Sequence, residues 1–402
     1  MTDLDHAIWW HVYPLGACGA PIRPGDPGDW QGHRLGRLEA WLDYVIELGC
    51  NGLLLGPIFA STSHGYDTVD HFRLDPRLGD EADWNHLVDQ AHSRGLMIML
   101  DGVFNHIGAQ HPLVEQALQG HGMVHVADGV HRGWEGHGDL AELDHDDPRV
   151  VDLVADVMKF WLDRGADGWR LDVAYAVPSH FWTQVVDRVH ASHPEAFFLG
   201  EVIHGDFPGI AREGHLDSVT AYELWKAIWS SLNDRNMWEL AWALERHDDF
   251  ASKTTMQTFI GNHDVSRIAS TVGDTGAAVA AALLLTLPGM PSIYYGDEQA
   301  FRGTKGTGVA ADDPVRPPLP EHPGQLHPGG EWMHRLHQEL IALRRRNPWI
   351  STGRLQVLDK TNPTISYAVR AEGHELTAHL DISEEPRIEV TIDGQQQFSW
   401  PQ

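Results

Sequence analysis

The stretch Gly168-Trp-Arg-Leu-Asp-Val173 has the pattern of a short buried strand, because a largely apolar run leads to the acid Asp172. Similar runs recur along the 402-residue chain, separated by amphipathic stretches with apolar residues at spacings of three and four. Buried parallel strands that take turns with surface helices produce this pattern. We therefore expect an α/β protein that folds as a (β/α)8 barrel. The strand candidates are Ile8–Tyr13, Gly52–Leu55, Leu96–Leu100, Gly168–Asp172, Phe197–Gly200, Ser218–Tyr222, Met256–Ile260 and Pro291–Tyr295.

The spacing of three acids supports this interpretation. Asp172 and Glu201 are 29 residues apart, and Glu201 and Asp264 are 63 residues apart. A barrel of about 250 residues has roughly 30 residues per β/α unit, so these acids would end the fourth, fifth and seventh strands. The helix candidates between the strands are Leu35–Leu48, Asp83–Arg94, Val150–Arg164, His180–His190, Ala277–Leu287 and Trp332–Arg345.

The remaining sequence divides the chain into domains. Asp101 and Asp172 are 71 residues apart, which is too far for a single β/α unit. The additional residues, about 104–147, are rich in Gly and His and predict a small subdomain over the barrel mouth. Another irregular stretch, 303–330, is expected at the same mouth. After Trp349 the apolar residues alternate, which is typical of antiparallel strands. The predicted domains are the barrel in two parts (1–103 and 148–349), the inserted subdomain (104–147) and a small C-terminal antiparallel β-domain (350–402).

The amino-acid composition indicates which ligands the protein can bind and in which compartment it works. The chain has 29 Lys and Arg against 57 Asp and Glu, a formal charge of −28, which argues against nucleic acids and anionic membranes. Two cysteines give no disulfide framework, and no basic, cleavable N-terminal segment is recognisable. The longest apolar stretch, 277–290, is short for a membrane span and contains Pro288. We expect a cytoplasmic protein that acts on a neutral ligand such as a sugar and has no membrane partner. The sequence does not determine its oligomeric state.

Acids at strand ends are the first candidates for chemistry, because the active site of a barrel lies at the carboxyl ends of its strands. They are Asp101, Asp172, Glu201, Asp264, Asp297 and Glu298. Carboxylates that converge on one mouth repel each other, which favours metal binding or acid/base work. The zinc patterns HxH and HExxH, the phosphate-binding loops and the GxSxG elbow are all absent from the sequence, so neither metal nor cofactor is predicted.

Two of these acids suit the two carboxylate roles of a retaining glycosidase. Arg170 faces the same side of its strand as Asp172, which favours an ionised nucleophile there. Glu201 follows an apolar strand, a drier setting that suits an acid that donates its proton. His106, His204 and His263 are placed to hydrogen bond sugar hydroxyls, and Tyr66 is the aromatic candidate for the site.

With these residues assembled, the sequence resembles the α-amylase family, glycoside hydrolase family 13, over about residues 8–346. The family's four motifs occur in order. They are Asp101-Gly-Val-Phe-Asn-His106, Gly168-Trp-Arg-Leu-Asp-Val173, Gly200-Glu-Val202 and Phe259-Ile-Gly-Asn-His-Asp264. The resemblance implies that Asp172 is the nucleophile, Glu201 the acid/base and Asp264 the carboxylate that holds sugar hydroxyls and stabilises the transition state. The predicted substrate contacts are Tyr66, Asp67, Asp101, His106, Arg170, Val173, His204, Asn262 and His263.

Within the family, the segments 168–182 and 201–204 look most like the neopullulanase and cyclomaltodextrinase branch, without that branch's N-terminal domain. The resemblance implies a retaining hydrolase of α-glucosidic bonds, mainly α-1,4, in maltooligosaccharides, cyclodextrins or related α-glucans. One alternative is a transglycosylase, which would use the same carboxylates. The other is a non-catalytic sugar-binding or scaffold protein, whose usual mark is a missing carboxylate; the three are present here. Linkage, endo or exo action and substrate length stay open.

Overall fold

The structure is a computed structural model and describes residues 4–401. Eight parallel strands pair in chain order and close into a barrel, because the first strand also pairs with the eighth. The eight candidate strands of the sequence are thus the barrel strands, and the predicted (β/α)8 fold is confirmed. The strands are Trp9–Val12, Gly52–Leu55, Met97–Gly102, Gly168–Leu171, Phe197–Gly200, Ser218–Thr220, Thr255–Phe259 and Met290–Tyr294.

Most of the helices lie around the barrel, whereas Pro112–Leu118 belongs to the stretch between the third and fourth strands. Their bounds are Pro14–Ala17, Gly36–Glu39, Leu42–Leu48, Glu81–Ser93, Pro112–Leu118, Pro148–Leu162, Ser179–His190, Phe207–Gly214, Tyr222–Asp234, Trp238–Ala251, Ile268–Thr286 and Glu331–Arg346. The single helix predicted over 35–48 is wrong, since two short helices replace it. Between them, Trp41 is buried and stacks on Trp10 of the first strand, so packing sets the break.

Two excursions rise from the barrel. A hairpin of Phe59–Ser61 and Thr68–Leu74 follows the second strand. Between the third and fourth strands, His106–Gly108 and Gly133–Trp134 flank His137–Glu142 in a three-stranded sheet. This sheet, with the short pair Val126–Ala127 and Val130–His131 beside it, lies in the predicted inserted subdomain.

The chain ends in a separate antiparallel sheet, as the alternating pattern predicted. Its strands are Arg354–Lys360, Thr364–Ala371, His374–Asp381, Arg387–Ile392 and Gln395–Trp400. The sheet is anchored where the buried Tyr367 hydroxyl contacts Thr286 Oγ1 at 2.5 Å. The predicted domain boundaries themselves stay a prediction.

The helix Ile268–Thr286 is long and apolar enough to cross a membrane by length and composition. Two thirds of its most apolar stretch is nevertheless buried inside the fold, as in the core helix of a globular domain. Gly273, at φ 71°, kinks this helix near its beginning.

Gly168, the first residue of the fourth strand, has no room for a side chain. A Cβ at this position would lie 2.6 Å from the backbone oxygen of Phe197 on the neighbouring strand. We expect Gly168→Ala to lower the free energy of unfolding by about 1–3 kcal/mol, because the two strands would have to separate. Gly36→Ala is the control, since a Cβ there meets nothing within 4 Å. Urea unfolding of both variants checks this, and equal stability would contradict it.

Candidate active site

The site is built around the guanidinium of Arg170, which lies on the fourth strand and is 3% exposed. Its Nη1 donates to both carboxylate oxygens of Asp101, at 2.5 and 2.6 Å. Its Nη2 lies 2.6 Å from Oε1 of Glu201, and its Nη1 lies 3.4 Å from Oδ1 of Asp172. Strands three, four and five therefore deliver three carboxylates to one cation.

Glu201 is held from two further directions. The Tyr222 hydroxyl donates to Glu201 Oε1 at 3.0 Å and accepts from the Asn262 amide at 2.8 Å. The backbone N–H of Val173 donates to Glu201 Oε2 at 3.1 Å. Val173 has φ 51°, a strained value for a β-branched residue and typical of backbone held at a functional site. Val173 thus contributes its backbone to Glu201.

Tyr66 and His263 connect this group to the seventh strand. The Tyr66 hydroxyl donates to Asp101 Oδ2 at 2.8 Å and also contacts His263 Nε2. The two rings are stacked, with centroids 5.3 Å apart, and Tyr13 stacks against the same imidazole. His263 Nδ1 contacts His11 Nε2 at 3.3 Å. The first strand, the segment after the seventh strand and the hairpin after the second strand are thereby joined.

Asp264 lies at the edge of the group and is more accessible than the other acids, with a side chain 36% exposed. Its Oδ1 accepts from Arg316 Nη2 at 2.9 Å, and its Oδ2 lies 2.9 Å from His263 Nε2. Arg316 comes from the irregular stretch 303–330, stacks over the Tyr13 ring and also binds Asp312. That stretch contacts the site, as its expected place at the mouth implied.

Asp172 and Asp264 have opposite electrostatic settings. Burial, and then the charge of Glu201, raise the pKa of Asp172 well above its usual range, although Arg170 opposes them. Burial would also raise the pKa of Asp264, but His263, Arg316 and Arg170 outweigh it and hold that pKa well below normal. The sequence predicts that Arg170 keeps Asp172 ionised, but burial and Glu201 outweigh its effect on the pKa, and its shorter contacts are to Asp101 and Glu201.

Three other predicted substrate contacts, Asp67, His106 and His204, lie apart from Arg170. Asp67 is buried and accepts from the Ser63 hydroxyl at 2.6 Å. His106 stacks beside Trp134 of the inserted sheet, and burial lowers its pKa to about 3, so it is a neutral imidazole. His204 lies on the exposed rim, with its ring 4.8 Å from the Tyr175 ring. None of these three is in direct contact with Arg170 in the part of the chain described.

A cluster that could bind a metal ion lies outside this group, among the residues that the structure describes. His33, Asp80 and Asp83 bring possible ligand atoms within 4.8 Å of one another, but Asp80 and Asp83 already form a helix capping box. Asn105, at the mouth, has its amide nitrogen 3.1 Å from the ring of His106.

Sequence reasoning missed Tyr222, Arg316, Tyr13, His11 and Trp134. Tyr222 is the last residue of the predicted strand Ser218–Tyr222, and this strand-end position is itself a signal for an active-site residue. Arg316 and Trp134 lie in segments expected at the mouth, but irregular backbone gives no period from which to orient a side chain.

A closed (β/α)8 barrel with an arginine-centred carboxylate group at its mouth defines a class, that of the α-amylase-type barrels. The comparison with protein families gives the same answer, since the model described as "Alpha amylase, catalytic domain" matches residues 10–129 and 130–320. The chain therefore belongs to the α-amylase family, glycoside hydrolase family 13.

Curated relatives carry the names of glycosidases. Neopullulanase 2 of Thermoactinomyces vulgaris is 31% identical over 339 residues, 78% of this chain and 56% of the relative. The intracellular maltogenic amylase of Bacillus subtilis is 30% identical over 398 residues, 90% of this chain and 66% of the relative. The chain thus spans between about half and two thirds of the length of these relatives.

Solved structures share the fold over nearly the whole chain. Cyclic α-maltosyl-(1→6)-maltose hydrolase of Arthrobacter globiformis superposes with a TM-score of 0.84 at 23% identity, and 98% of each chain is covered. The α-amylase of Geobacillus thermoleovorans complexed with acarbose gives 0.80 at 25% identity, covering 97% of this chain and 90% of that one.

The raised pKa of Asp172 and the lowered pKa of Asp264 predict that removing each charge changes stability in opposite directions. A pKa raised by folding means that ionised Asp172 destabilises the native state at neutral pH, whereas ionised Asp264 stabilises it. We expect Asp172→Asn to raise the melting temperature at pH 7 by about 2 °C or more, and Asp264→Asn to lower it. The gain in Asp172→Asn should shrink as the pH falls through the raised pKa. Calorimetry of both variants tests this, and shifts of the same sign would contradict the account.

Proposed function

We propose that this protein is a retaining glycoside hydrolase that cleaves α-glucosidic bonds, mainly α-1,4, in maltooligosaccharides, cyclodextrins or related α-glucans. The observation that carries the proposal is the joint contact of Arg170 with Asp101, Asp172 and Glu201 at the mouth of an α-amylase-family barrel. Retaining chemistry requires two carboxylates with different tasks close to one bond, and Arg170 places Asp172 and Glu201 together.

Asp172 is the proposed nucleophile. Its 3.4 Å contact with Arg170 is the longest made by the three acids, so it is the least constrained of them. Its carboxylate would attack the anomeric carbon and form a glycosyl-enzyme, while the bond to the leaving sugar breaks.

Glu201 is the proposed acid and base. Its Oε1 contacts both Arg170 and Tyr222, whereas its Oε2 accepts from the Val173 N–H. We therefore propose that Oε2 carries the proton to the glycosidic oxygen. The same carboxylate would then deprotonate the water that releases the sugar. Asp264, kept ionised by its cationic neighbours, would hold sugar hydroxyls and stabilise the positive charge of the transition state.

The substrate proposal rests on the relatives, which are named neopullulanase, maltogenic amylase and cyclomaltodextrinase. Tyr66, Asp67, His106, Asn262, His263 and His204 are the proposed hydroxyl or ring contacts. A cytoplasmic location is proposed because two relatives are named intracellular maltogenic amylases. A transglycosylase would use the same residues and differ in which acceptor attacks the glycosyl-enzyme. The intact carboxylate set speaks against a non-catalytic binding protein.

Product chromatography tests the reaction. Incubation with linear maltooligosaccharides, cyclodextrins and pullulan should yield shorter products, and Asp172→Asn and Glu201→Gln should each lower turnover by about 10³-fold or more. Asp156→Asn, an exposed acid on the helix Pro148–Leu162, should leave turnover unchanged. Longer products would favour the transglycosylase. Near-normal turnover in Asp172→Asn would exclude the proposed mechanism.

The pH profile tests the pair independently. Activity requires Asp172 ionised and Glu201 protonated, so kcat/KM should be bell-shaped. Burial, the larger cause of the raised pKa of Asp172, persists when Glu201 carries its proton. The acid limb should therefore lie above the ordinary aspartate range near pH 4. A flat profile, or an acid limb at or below about pH 4, would contradict this.

A further inference from the structure

A small cavity lies at the amino-terminal face of the barrel, opposite the active site. Its volume is about 250 Å³, and it is lined by His6, Ile8, Arg344, Arg345, Pro348 and Ser351. Ile8 immediately precedes the first barrel strand, and the two arginines lie in the last turn of the helix Glu331–Arg346. This volume is just below the usual range for drug-sized ligands and suits a small ion or a small metabolite.

Arg344 is a buried cation that bonds neutral oxygens. It is 5% exposed. Its Nη1 donates to the backbone oxygens of Leu285 and Leu287, at 3.2 and 2.8 Å, and its Nη2 donates to the backbone oxygen of Gly289. Burial, and then the charge of Arg345, lower the pKa of Arg344 to about 9. A carboxylate partner would oppose this shift, because an opposite charge stabilises the charged form.

Arg345 adds a second positive charge to the same cavity. Its side chain is exposed, and its Nη2 donates to the backbone oxygen of Gly49 at 3.0 Å and to Asn51 Oδ1 at 2.8 Å. Its Nη1 donates to the backbone oxygen of His6. Among the side chains that the structure describes, neither arginine has an acid as a partner. In a chain with 57 acidic and 29 basic residues, two adjacent arginines of this kind are unusual.

The contacts with neutral oxygens hold the arginines in place but do not use every donor. A guanidinium has five N–H groups. Arg344 uses three of them, so its Nε–H and one N–H of Nη2 have no partner among the described residues. A guanidinium matches the geometry of phosphate oxygens and bonds them more strongly than it bonds a neutral oxygen. The His6 ring brings a further N–H group to the wall.

An anion would complete the electrostatics of this cavity. None of the six lining residues is an acid, so the wall itself provides no counter-charge. A buried cation without a counter-charge lowers stability, and a bound anion would offset that cost. The anion would also bind next to Gly289, directly before the eighth barrel strand.

We infer that the cavity between His6, Arg344 and Arg345 is a binding site for a phosphate-type oxyanion, either free phosphate or the phosphate group of a small metabolite. The site lies on the face of the barrel opposite the proposed catalytic group, so the inference does not depend on the proposed function. Because the anion binds the folded chain, it should stabilise the fold by mass action.

Thermal unfolding in phosphate tests the site. At constant ionic strength, replacing chloride with about 10 mM phosphate should raise the Tm of the parent by about 2 °C. Arg345→Gln should lose this shift. Arg346→Gln is the matched control and should keep it, because Arg346 is exposed in the same helical turn but does not line the cavity.

A second variant provides the counter-charge within the chain. Ser351 lines the cavity, so Ser351→Asp would introduce a carboxylate into the wall that contains the arginines. Its Tm in chloride should be higher than that of the parent, and phosphate should no longer raise it. A purely structural role of the arginines predicts neither effect. This variant also decides the matter if Arg345→Gln fails to fold.

Glucose 6-phosphate distinguishes the two sources of the anion. A shift larger than that with phosphate, absent with glucose and lost in Arg345→Gln, would assign the site to a sugar phosphate. An equal or smaller shift would assign it to free phosphate. No shift of the parent in phosphate, or the same shift in Arg345→Gln and Ser351→Asp, would overturn the inference and leave the proposed function standing.

Discussion

One buried guanidinium facing three buried carboxylates is the constraint on which the rest of this structure depends. Arg170, Asp101, Asp172 and Glu201 are each 5% exposed or less. Burying these acids together without a cation would be prohibitive, and burying the cation without them equally so. Arg170 satisfies Asp101 and Glu201 at close range and leaves Asp172 with a longer, weaker contact. Asp172, the acid that we propose as the nucleophile, is therefore the least compensated of the three negative charges.

The barrel stabilises this arrangement because it holds the four side chains on rigid strands. Asp101, Arg170 and Glu201 lie on or directly after neighbouring parallel strands, whose register pairs Arg170 with Asp101 and with Leu199. Shifting one strand by a single residue would turn its side chains to the opposite face. The tight approach at Gly168, and the strained backbone of Val173, show the same dependence on strand position. Burial of Asp172 and the positive φ of Val173 both lower stability locally, a cost that is common at functional sites.

Local sequence patterns predict the barrel strands and the acids at their ends, whereas the contacts between distant segments are not predictable from them. The barrel strands were predictable because each is a short apolar run, and the acids because they end such runs. The contacts of Arg170 were only partly predictable, since Asp101 is 69 residues away in sequence and reaches it through barrel closure. Arg316 reaches Asp264 from an irregular segment, and the break of the helix predicted over 35–48 follows from burial of Trp41. Neither outcome leaves a signal in local periodicity.

We propose that Asp172 forms a covalent bond to the sugar and that water then attacks from the face that the leaving sugar has vacated. Proton NMR of the first product released from a maltooligosaccharide, before mutarotation, tests this most directly. The account predicts that the new reducing end appears as the α-anomer, because two displacements restore the starting configuration. Initial release of the β-anomer would mean a single displacement by water, and the assignment of Asp172 as nucleophile would be wrong.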